Sequence, residues 1–260
     1  MQFLKPVEVR LRQLRNRMAP WRYRGREVHC PVCETDFSRF LPAGTGERYR
    51  EHAICPRCRA RERDRLAWLF LQSNPQLFAG QQRFRMLHVA PEPRLGTFFR
   101  HRAGCGYCSA DLMRRDVDLR LDVSALPIAA ASLDAIYCSH VLQDVPDDRR
   151  ALAEFYRALR PGGWAIVNIP LHADYTRENP RPDNVRRRYD RRPDEHLRHY
   201  GHDYLQRLQD VGFKATVTRP EELESDIGQR RRLGIDGART GYVHCAIKPG
   251  VKSAYSPSKR

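Results

Sequence analysis

The stretch from Ser132 to Pro170 reads SLDAIYCSHVLQDVPDDRRALAEFYRALRPGGWAIVNIP, and it decides the fold prediction. Its apolar run at 133–140 predicts a buried strand, 147–160 predicts a helix, and 164–170 predicts a second strand. Two strands joined through a helix form a βαβ unit, in which the strands lie parallel in one sheet.

The same alternation of strands and helices extends on both sides of this stretch. The other predicted strands are 84–90, 106–110, 119–123, 213–218 and 242–247, and the other predicted helices here are 94–102 and 201–212. The sequence therefore predicts an α/β fold with a seven-stranded, mostly parallel sheet and helices on both faces.

Two cysteine pairs near the N-terminus have the spacing of metal ligands. Cys30, Cys33, Cys55 and Cys58 form two CxxC motifs, and four thiolates suit a tetrahedral Zn²⁺ site with no open position. The pairs predict a small structural zinc ribbon; a redox-active CxxC fits less well because no thioredoxin pattern surrounds them. The other cysteines are predicted to be free thiols: Cys105, Cys108, Cys138 and Cys245.

The composition indicates a basic intracellular protein but does not identify a binding partner. The chain has 260 residues, eight cysteines and a formal net charge of +16. Its N-terminus has neither a secretory apolar region nor an apolar run long enough to cross a membrane, so we expect a cytoplasmic location and thiols rather than disulfides. The charge suits acidic partners, but it is mostly arginine and does not decide between them.

The first residues contain a basic amphipathic pattern. Val7, Leu11, Leu14 and Met18 form one helical stripe among arginines. We interpret this helix as packing on the protein's own core in preference to serving as a membrane or RNA anchor, although basic amphipathic helices can serve those purposes.

Several motifs together resemble one family. The turn Arg160-Pro-Gly-Gly163 and the pair Leu126-Pro127 resemble the type 11 class I S-adenosylmethionine-dependent methyltransferases. Cys55 to Leu66 and Leu87 to Glu92 (LHVAPE) are similar to a bacterial subgroup with an N-terminal zinc ribbon. The resemblance implies a Rossmann-like methyltransferase domain that uses S-adenosylmethionine.

In such a domain the cofactor lies across the carboxyl ends of the first strands. Asp111 is then placed to bind the ribose hydroxyls and Asp122 the adenine amino group. The first loop, HVAPEPRLG, lacks the usual acidic-x-G-x-G-x-G pattern, with His88 at the acidic position and Pro91 at a glycine, which we interpret as a variant pocket. The predicted cofactor-binding residues are His88, Ala90, Glu92, Asp111, Leu112, Asp122, Val123 and Ser139.

The acceptor side is predicted from strand ends and from an insertion at 172–199 that has no clear period. His140 and His199 are the candidate catalytic bases. The run DEHLRHYG resembles the subgroup's D-H-x-R-x-Y-G element, whereas Asp144 and Asp64 stand where the family usually has histidine. The predicted substrate-binding residues are His172, Tyr175, Arg177, His196, Arg198 and Tyr200.

The predicted organisation has five parts: a basic amphipathic segment (1–27), the zinc ribbon (28–60), a linking helix (61–82), the methyltransferase domain (83–250) and a disordered tail (251–260). The leading function is methyl transfer to an oxygen or nitrogen of a small molecule or glycan. Two alternatives stay open, an RNA methyltransferase that docks through the ribbon and the basic surface, and a non-catalytic binding module.

Overall fold

A computed structural model describes residues 17–46, 49–79, 83–103, 106–171, 174–179, 196–237 and 240–250. Residues 17–22 are helical, and the helices that follow are α1 (Glu62–Ser73), α2 (Pro93–Ala103), α3 (Asp148–Ala158), α4 (Tyr204–Asp210), α5 (Pro220–Leu223) and α6 (Ile227–Leu233). The first strands are β1 (Val28–Cys30), β2 (Thr35–Phe37), β3 (Leu41–Ala43), β4 (Arg50–Ile54), β5 (Met86–Val89), β6 (Tyr107–Asp111) and β7 (Leu119–Arg120). The later strands are β8 (Leu133–Ser139), β9 (Leu159–Asn168), β10 (Arg177–Glu178), β11 (Arg198–His199), β12 (Lys214–Thr218) and β13 (Val243–Ile247).

The chain divides into two compact units. One contains Met1–Leu77, Glu92–Leu95 and Thr218–Val243, and the other contains Phe78–Pro91, Gly96–Val217 and His244–Arg260. Residues 218–243, which the sequence assigned to the domain at 83–250, thus group with the N-terminal segments. The proposed tail at 251–260 lies outside the described residues.

The second unit is built on a seven-stranded sheet with the order β12-β13-β9-β8-β5-β6-β7. Strands β9, β8, β5, β6 and β7 pair in parallel, and β13 pairs with β9 antiparallel. All seven residues of β8 are buried, as expected for a central strand covered on both faces. The predicted Rossmann-like fold class is confirmed.

The strand order reverses at β5, because the chain adds β6 and β7 on one side and β8 and β9 on the other. At such a switch point the loops that follow neighbouring strands separate and leave a crevice at the carboxyl end of the sheet. The topology therefore locates the place where this unit can bind a ligand.

The stretch that predicted the fold forms β8, α3 and β9. Asp147 caps α3, since its side chain accepts a 2.9 Å hydrogen bond from the backbone N–H of Arg150. Strand β9 begins at Leu159 rather than at 164, so the Arg160-Pro-Gly-Gly turn belongs to the strand. Gly162 has a φ of 79°, which favours glycine at this turn.

The first unit is organised around Arg65, which is fully buried in α1. Its guanidinium donates to the carbonyls of Ala53 (3.1 Å) and Ala60 (3.0 Å) in the cysteine-containing segment, and to those of Leu233 (2.8 Å) and Gly234 (2.7 Å) at the end of α6. One arginine thereby connects segments about 170 residues apart, because its planar guanidinium can donate several charge-assisted hydrogen bonds at once.

Among the described helices, none has the length and apolarity needed to cross a bilayer.

Candidate cofactor cavity and metal centre

A cavity of about 220 Å³ lies at the carboxyl ends of β5, β6 and β8. It is lined by Val89, Ala90, Asp111, Leu112, Leu121, Asp122, Val123, His140, Val141, Asp144, Val145 and Pro146. The lining combines an apolar surface with a few carboxylate and imidazole groups, the usual composition of a small-molecule site. Five of the eight predicted cofactor residues line it: Ala90, Asp111, Leu112, Asp122 and Val123.

The two aspartates on this cavity are each held by their own turn. Oδ1 of Asp111 accepts the backbone N–H groups of Met113 (2.7 Å) and Arg114 (3.0 Å). Oδ1 of Asp122 accepts the backbone N–H of Ser124 at 2.9 Å and its hydroxyl at 2.6 Å. In each aspartate, Oδ1 accepts two hydrogen bonds from its own turn, and these bonds restrain the orientation of the carboxylate. Oδ2 is therefore the oxygen that can accept hydrogen bonds from a ligand.

Two residues on the cavity wall have left-handed backbone conformations. Ala90, directly after β5, has a φ of 50°, and His140, directly after β8, has a φ of 57°. The N–H of Ala90 donates to the carbonyl of Ala110 (2.7 Å), and that of His140 to Asn168 (2.8 Å). Such conformations are unfavourable for residues other than glycine and cluster at ligand sites, where neighbouring hydrogen bonds enforce them.

The glycine-poor first loop is fixed by an arginine that sequence reasoning missed. Arg114 donates to the carbonyl of Pro91 (2.9 Å) and forms a two-point pair with Asp116 (3.0 and 2.7 Å). This pairing raises the pKa of Arg114 and lowers that of Asp116. The hydrogen bond from Arg114 to Pro91 therefore restrains the first loop, whose conformation depends on glycines in the usual motif.

Three predicted cofactor residues lie outside the cavity lining. His88 is fully buried; its Nδ1 lies 3.0 Å from the Tyr107 hydroxyl, and its ring packs edge-on against Phe99 and Tyr137. Ser139 is buried at the end of β8, and Glu92 belongs to the other compact unit. The structure thus places His88 in the packing of β5, although its motif position suggested the loop.

Arg198 and Tyr200, predicted to bind substrate, are both buried and engaged with the protein. Arg198 donates to the carbonyls of Leu142 (2.9 Å), Val145 and Pro146 (2.9 Å), the turn that forms one cavity wall. The Tyr200 hydroxyl donates to Asp148 at 2.6 Å, and burial raises the pKa of this tyrosine. Within the DEHLRHYG run, Arg198 thus supports the turn that forms this cavity wall.

The other predicted acceptor residues have varied positions. His140 lines the cavity, and His196 contacts the cavity residue Asp144 through Nδ1 (2.8 Å). Arg177 on β10 pairs in register with His199 on β11, and Tyr175 is 75% exposed. His172 lies outside the described residues. Sequence reasoning did not assign a cavity role to Leu121, Val141, Val145 or Pro146. The available signal was that Leu121 lies within the predicted strand 119–123 and that Val141 directly follows the predicted strand 133–140.

A candidate metal centre lies in the first unit. The Sγ atoms of Cys30, Cys33, Cys55 and Cys58 all lie within 4.8 Å of one another. Cys30 is 3.6 Å from Cys58, and Cys33 is 3.7 Å from Cys55. A tetrahedron with Zn–S bonds of about 2.3 Å has sulfur atoms roughly 3.8 Å apart, so the four thiols fit this ion.

The two cysteine turns repeat one local geometry. The residue after each pair, Glu34 (φ 48°) or Arg59 (φ 67°), is left-handed, which turns the chain after the second cysteine. The backbone N–H of Cys58 also points to the sulfur of Cys55 at 3.4 Å, a contact that stabilises a thiolate. Hydrogen bonding to Cys33 and the other cysteines, together with burial, raises the pKa of the Cys30 thiol, so thiols this close need a cation to ionise together.

Comparison with known proteins supports a methyltransferase domain in part of the chain. Residues 104–167, from β6 into β9, match the family model described as a methyltransferase domain, which is less than half of the sequence. No curated protein matches the chain significantly.

Similar solved structures include two S-adenosylmethionine-dependent methyltransferases. The protein from Mesorhizobium loti has 18% identity and a TM-score of 0.47, over 66% of this chain and 96% of that one. The protein from Archaeoglobus fulgidus has 14% identity and a TM-score of 0.47, over 74% of this chain and 96% of that one. The [4+2]-cyclase SpnF is also similar, at 16% identity and a TM-score of 0.43, over 72% of this chain and 82% of that one.

Proposed function

We propose that this protein is an S-adenosylmethionine-dependent methyltransferase that binds its cofactor in the cavity and methylates an oxygen or nitrogen of a small molecule or glycan. The main observation in support is that Asp111 and Asp122 line the same cavity at the switch point of the sheet. The match of residues 104–167 to a methyltransferase domain supports the same function.

The residues of the cavity suit the parts of this cofactor. Asp111, at the end of β6, can accept hydrogen bonds from both ribose hydroxyls through Oδ2, and Asp122 can accept one from the adenine amino group. Leu112, Val123 and Val141 offer apolar contacts to the adenine ring. The backbone N–H of Ala90 already donates to the carbonyl of Ala110, so it is not a hydrogen-bond donor for the cofactor. The left-handed turn at Ala90 instead lets the backbone come close to the cofactor.

The protein contributes to methyl transfer by aligning the acceptor with the methyl group and by removing a proton from the acceptor. When bound, the cofactor would supply an electrophilic methyl group: the acceptor's lone pair would bond to the methyl carbon in line as its bond to the sulfonium sulfur breaks, leaving S-adenosylhomocysteine as the neutral thioether. His140 is the candidate base because its side chain lies on the cavity wall, and an imidazole can take the acceptor's proton near neutral pH. His199, on β11 at the end of the insertion, remains a second candidate.

We further propose that Cys30, Cys33, Cys55 and Cys58 hold a structural Zn²⁺. A four-thiolate site leaves no position for a substrate, and the ion would hold together a ribbon whose strands have three to five residues. The apolar residues packed around the cysteines, among them Phe37 and Phe40, are too few to stabilise such hairpins alone.

The acceptor class can be tested with cofactor carrying a labelled methyl group. Purified protein is incubated with separate small-molecule, glycan and RNA fractions, with Asp111→Ala as the matched inactive variant. Label in the small-molecule or glycan fraction, absent with the variant, is the expected result. Label confined to RNA would instead establish the RNA methyltransferase, and cofactor binding without transfer to any fraction would favour the non-catalytic module.

A further inference from the structure

A surface at the start of the described chain combines exposed apolar side chains with arginine. Residues 17–22 are helical, and Met18 and Trp21 are 59% and 69% exposed. Residues three apart on a helix share a face, so the two side chains form one apolar patch. Ala19, between them, is 4% exposed and faces the protein. We call residues 17–26 the arginine-rich surface.

The charge of this surface has one sign. Arg17, Arg22, Arg24 and Arg26 are all exposed, and residues 17–26 contain no acidic side chain. The guanidinium of Arg24 lies 4.1 Å from the centroid of the Trp21 ring, which keeps cation and aromatic ring together. The surface therefore offers apolar contact and positive charge at the same place.

Helix α6, in the same unit, provides a contrast. It also has an exposed apolar residue, Ile227 (49%), next to a run of arginines. There, however, Arg230 and Arg231 pair with Asp236 at 3.2 and 3.3 Å, and Arg232 pairs with Asp36 at 3.2 Å. The arginines of α6 are thus compensated within the protein.

Met18 and Trp21 also continue a pattern in the sequence. Val7, Leu11 and Leu14 precede them at spacings of three and four residues, although these three lie outside the described part of the chain. An apolar stripe among arginines is typical of helices that lie in the interface of an anionic membrane, where tryptophan prefers the headgroup level. The sequence predicted that this helix packs on the protein's own core. In the described part of the stripe, Met18 and Trp21 are instead exposed.

We propose that the arginine-rich surface docks on an anionic lipid bilayer, with Met18 and Trp21 entering the headgroup region and the arginines contacting lipid phosphates. Single-stranded RNA fits less well, because base stacking needs open aromatic faces, whereas Arg24 covers one face of Trp21 and Met18 adds nothing to stacking. This inference does not depend on methyl transfer.

The test is co-sedimentation of the full zinc-loaded chain with phosphatidylcholine vesicles, with and without phosphatidylglycerol. We expect binding at least about tenfold stronger to the anionic vesicles, and a blue shift of tryptophan emission on binding. A Met18→Ser/Trp21→Ser double variant should lose most of this affinity. The matched control, Ile227→Ser, changes another exposed apolar residue of the same unit and should bind as the wild type does.

Three results would overturn the proposal: no preference for anionic vesicles, equal binding by the double variant, or equal loss in the Ile227→Ser control. Saturable binding of a single-stranded RNA oligomer that vesicles cannot displace would assign the surface to nucleic acid instead. Binding of S-adenosylhomocysteine by the double variant, measured in parallel, confirms that the variant is folded and separates this test from that of the enzyme.

Discussion

Arg198 donates a hydrogen bond to the carbonyl oxygen of Leu142, so a residue of the DEHLRHYG run fixes the turn that forms one wall of the candidate cofactor cavity. Two more carbonyls of the same turn, those of Val145 and Pro146, also accept from this guanidinium. The cavity therefore depends on a contact between segments more than 50 residues apart in the chain.

Arg198→Gln should weaken both the fold and cofactor binding. The shorter amide cannot reach three carbonyls, and buried acceptors without donors destabilise a protein by about 1–3 kcal/mol. We expect a lower urea midpoint and weaker binding of S-adenosylhomocysteine at a temperature where the variant is folded. Arg149→Gln, which removes an exposed pair with Asp210 at 3.4 Å, is the control and should change neither quantity measurably. Unchanged cofactor affinity in folded Arg198→Gln would contradict the role assigned to this contact.

Gly234→Ala should destabilise the first unit for a steric reason. Gly234 has a φ of 64°, and an added Cβ would lie 2.5 Å from the Phe40 ring and 2.6 Å from the Arg65 guanidinium. Gly241→Ala is the matched control, because its φ is 74° but no atom of the described residues lies within 4 Å of the added atom. Chemical denaturation should show a loss of about 1 kcal/mol for the control, from backbone conformation alone, and a clearly larger loss for Gly234→Ala. Equal losses would mean that the contact with Arg65 adapts without cost.

Cys58→Ser should remove the metal and destabilise the ribbon. We expect one zinc per chain in the wild type by elemental analysis, much less in the variant, and a lower melting temperature for the variant and for chelator-treated wild type. Cys108→Ser, a cysteine outside the cluster, should keep both the metal and the melting temperature. Full zinc content in Cys58→Ser would exclude the four-thiolate site.

His244 should make the protein sensitive to acid. Burial, with a smaller effect from His202, lowers the pKa of His244 to about 4, below the ordinary value of 6.5. The unfolded chain then binds the extra proton more readily, so this contribution to stability is complete above pH 6.5 and is lost as pH falls to about 4. In urea titrations from pH 7 to about pH 4, His244→Gln should lose less stability than the wild type. His101→Gln, an exposed histidine, should retain the wild-type slope.

The sequence predicted the sheet because burial on both faces leaves a readable pattern in β5, β8 and β9. Strand β7 is shorter than its predicted range of 119–123, ending at Arg120, because Asp122 leaves the strand to form a turn with Ser124. That same turn places the Asp122 carboxylate on the cavity, where its role in binding the cofactor stays a prediction.

Side-chain partners were harder to predict than elements. His88 has a motif position next to the first loop, but one strand residue's identity does not say which face it occupies, and its ring packs in the core. Arg198 and Tyr200 are polar and suggested ligand contacts, whereas their partners are backbone and side-chain groups more than 50 residues away. Such pairings depend on tertiary packing, which short-range sequence patterns do not contain.

The most direct test of the cofactor site is calorimetric titration of the zinc-loaded protein with S-adenosylhomocysteine, comparing wild type, Asp111→Ala and Asp210→Asn. Asp111 lies on the cavity, whereas Asp210 is a carboxylate at the end of α4, outside the cavity lining. The proposed site predicts binding by the wild type and by Asp210→Asn, and an affinity at least about tenfold weaker for folded Asp111→Ala, because charge-assisted hydrogen bonds to the ribose are lost. Absence of binding to the wild type, or equal binding by Asp111→Ala, would contradict it.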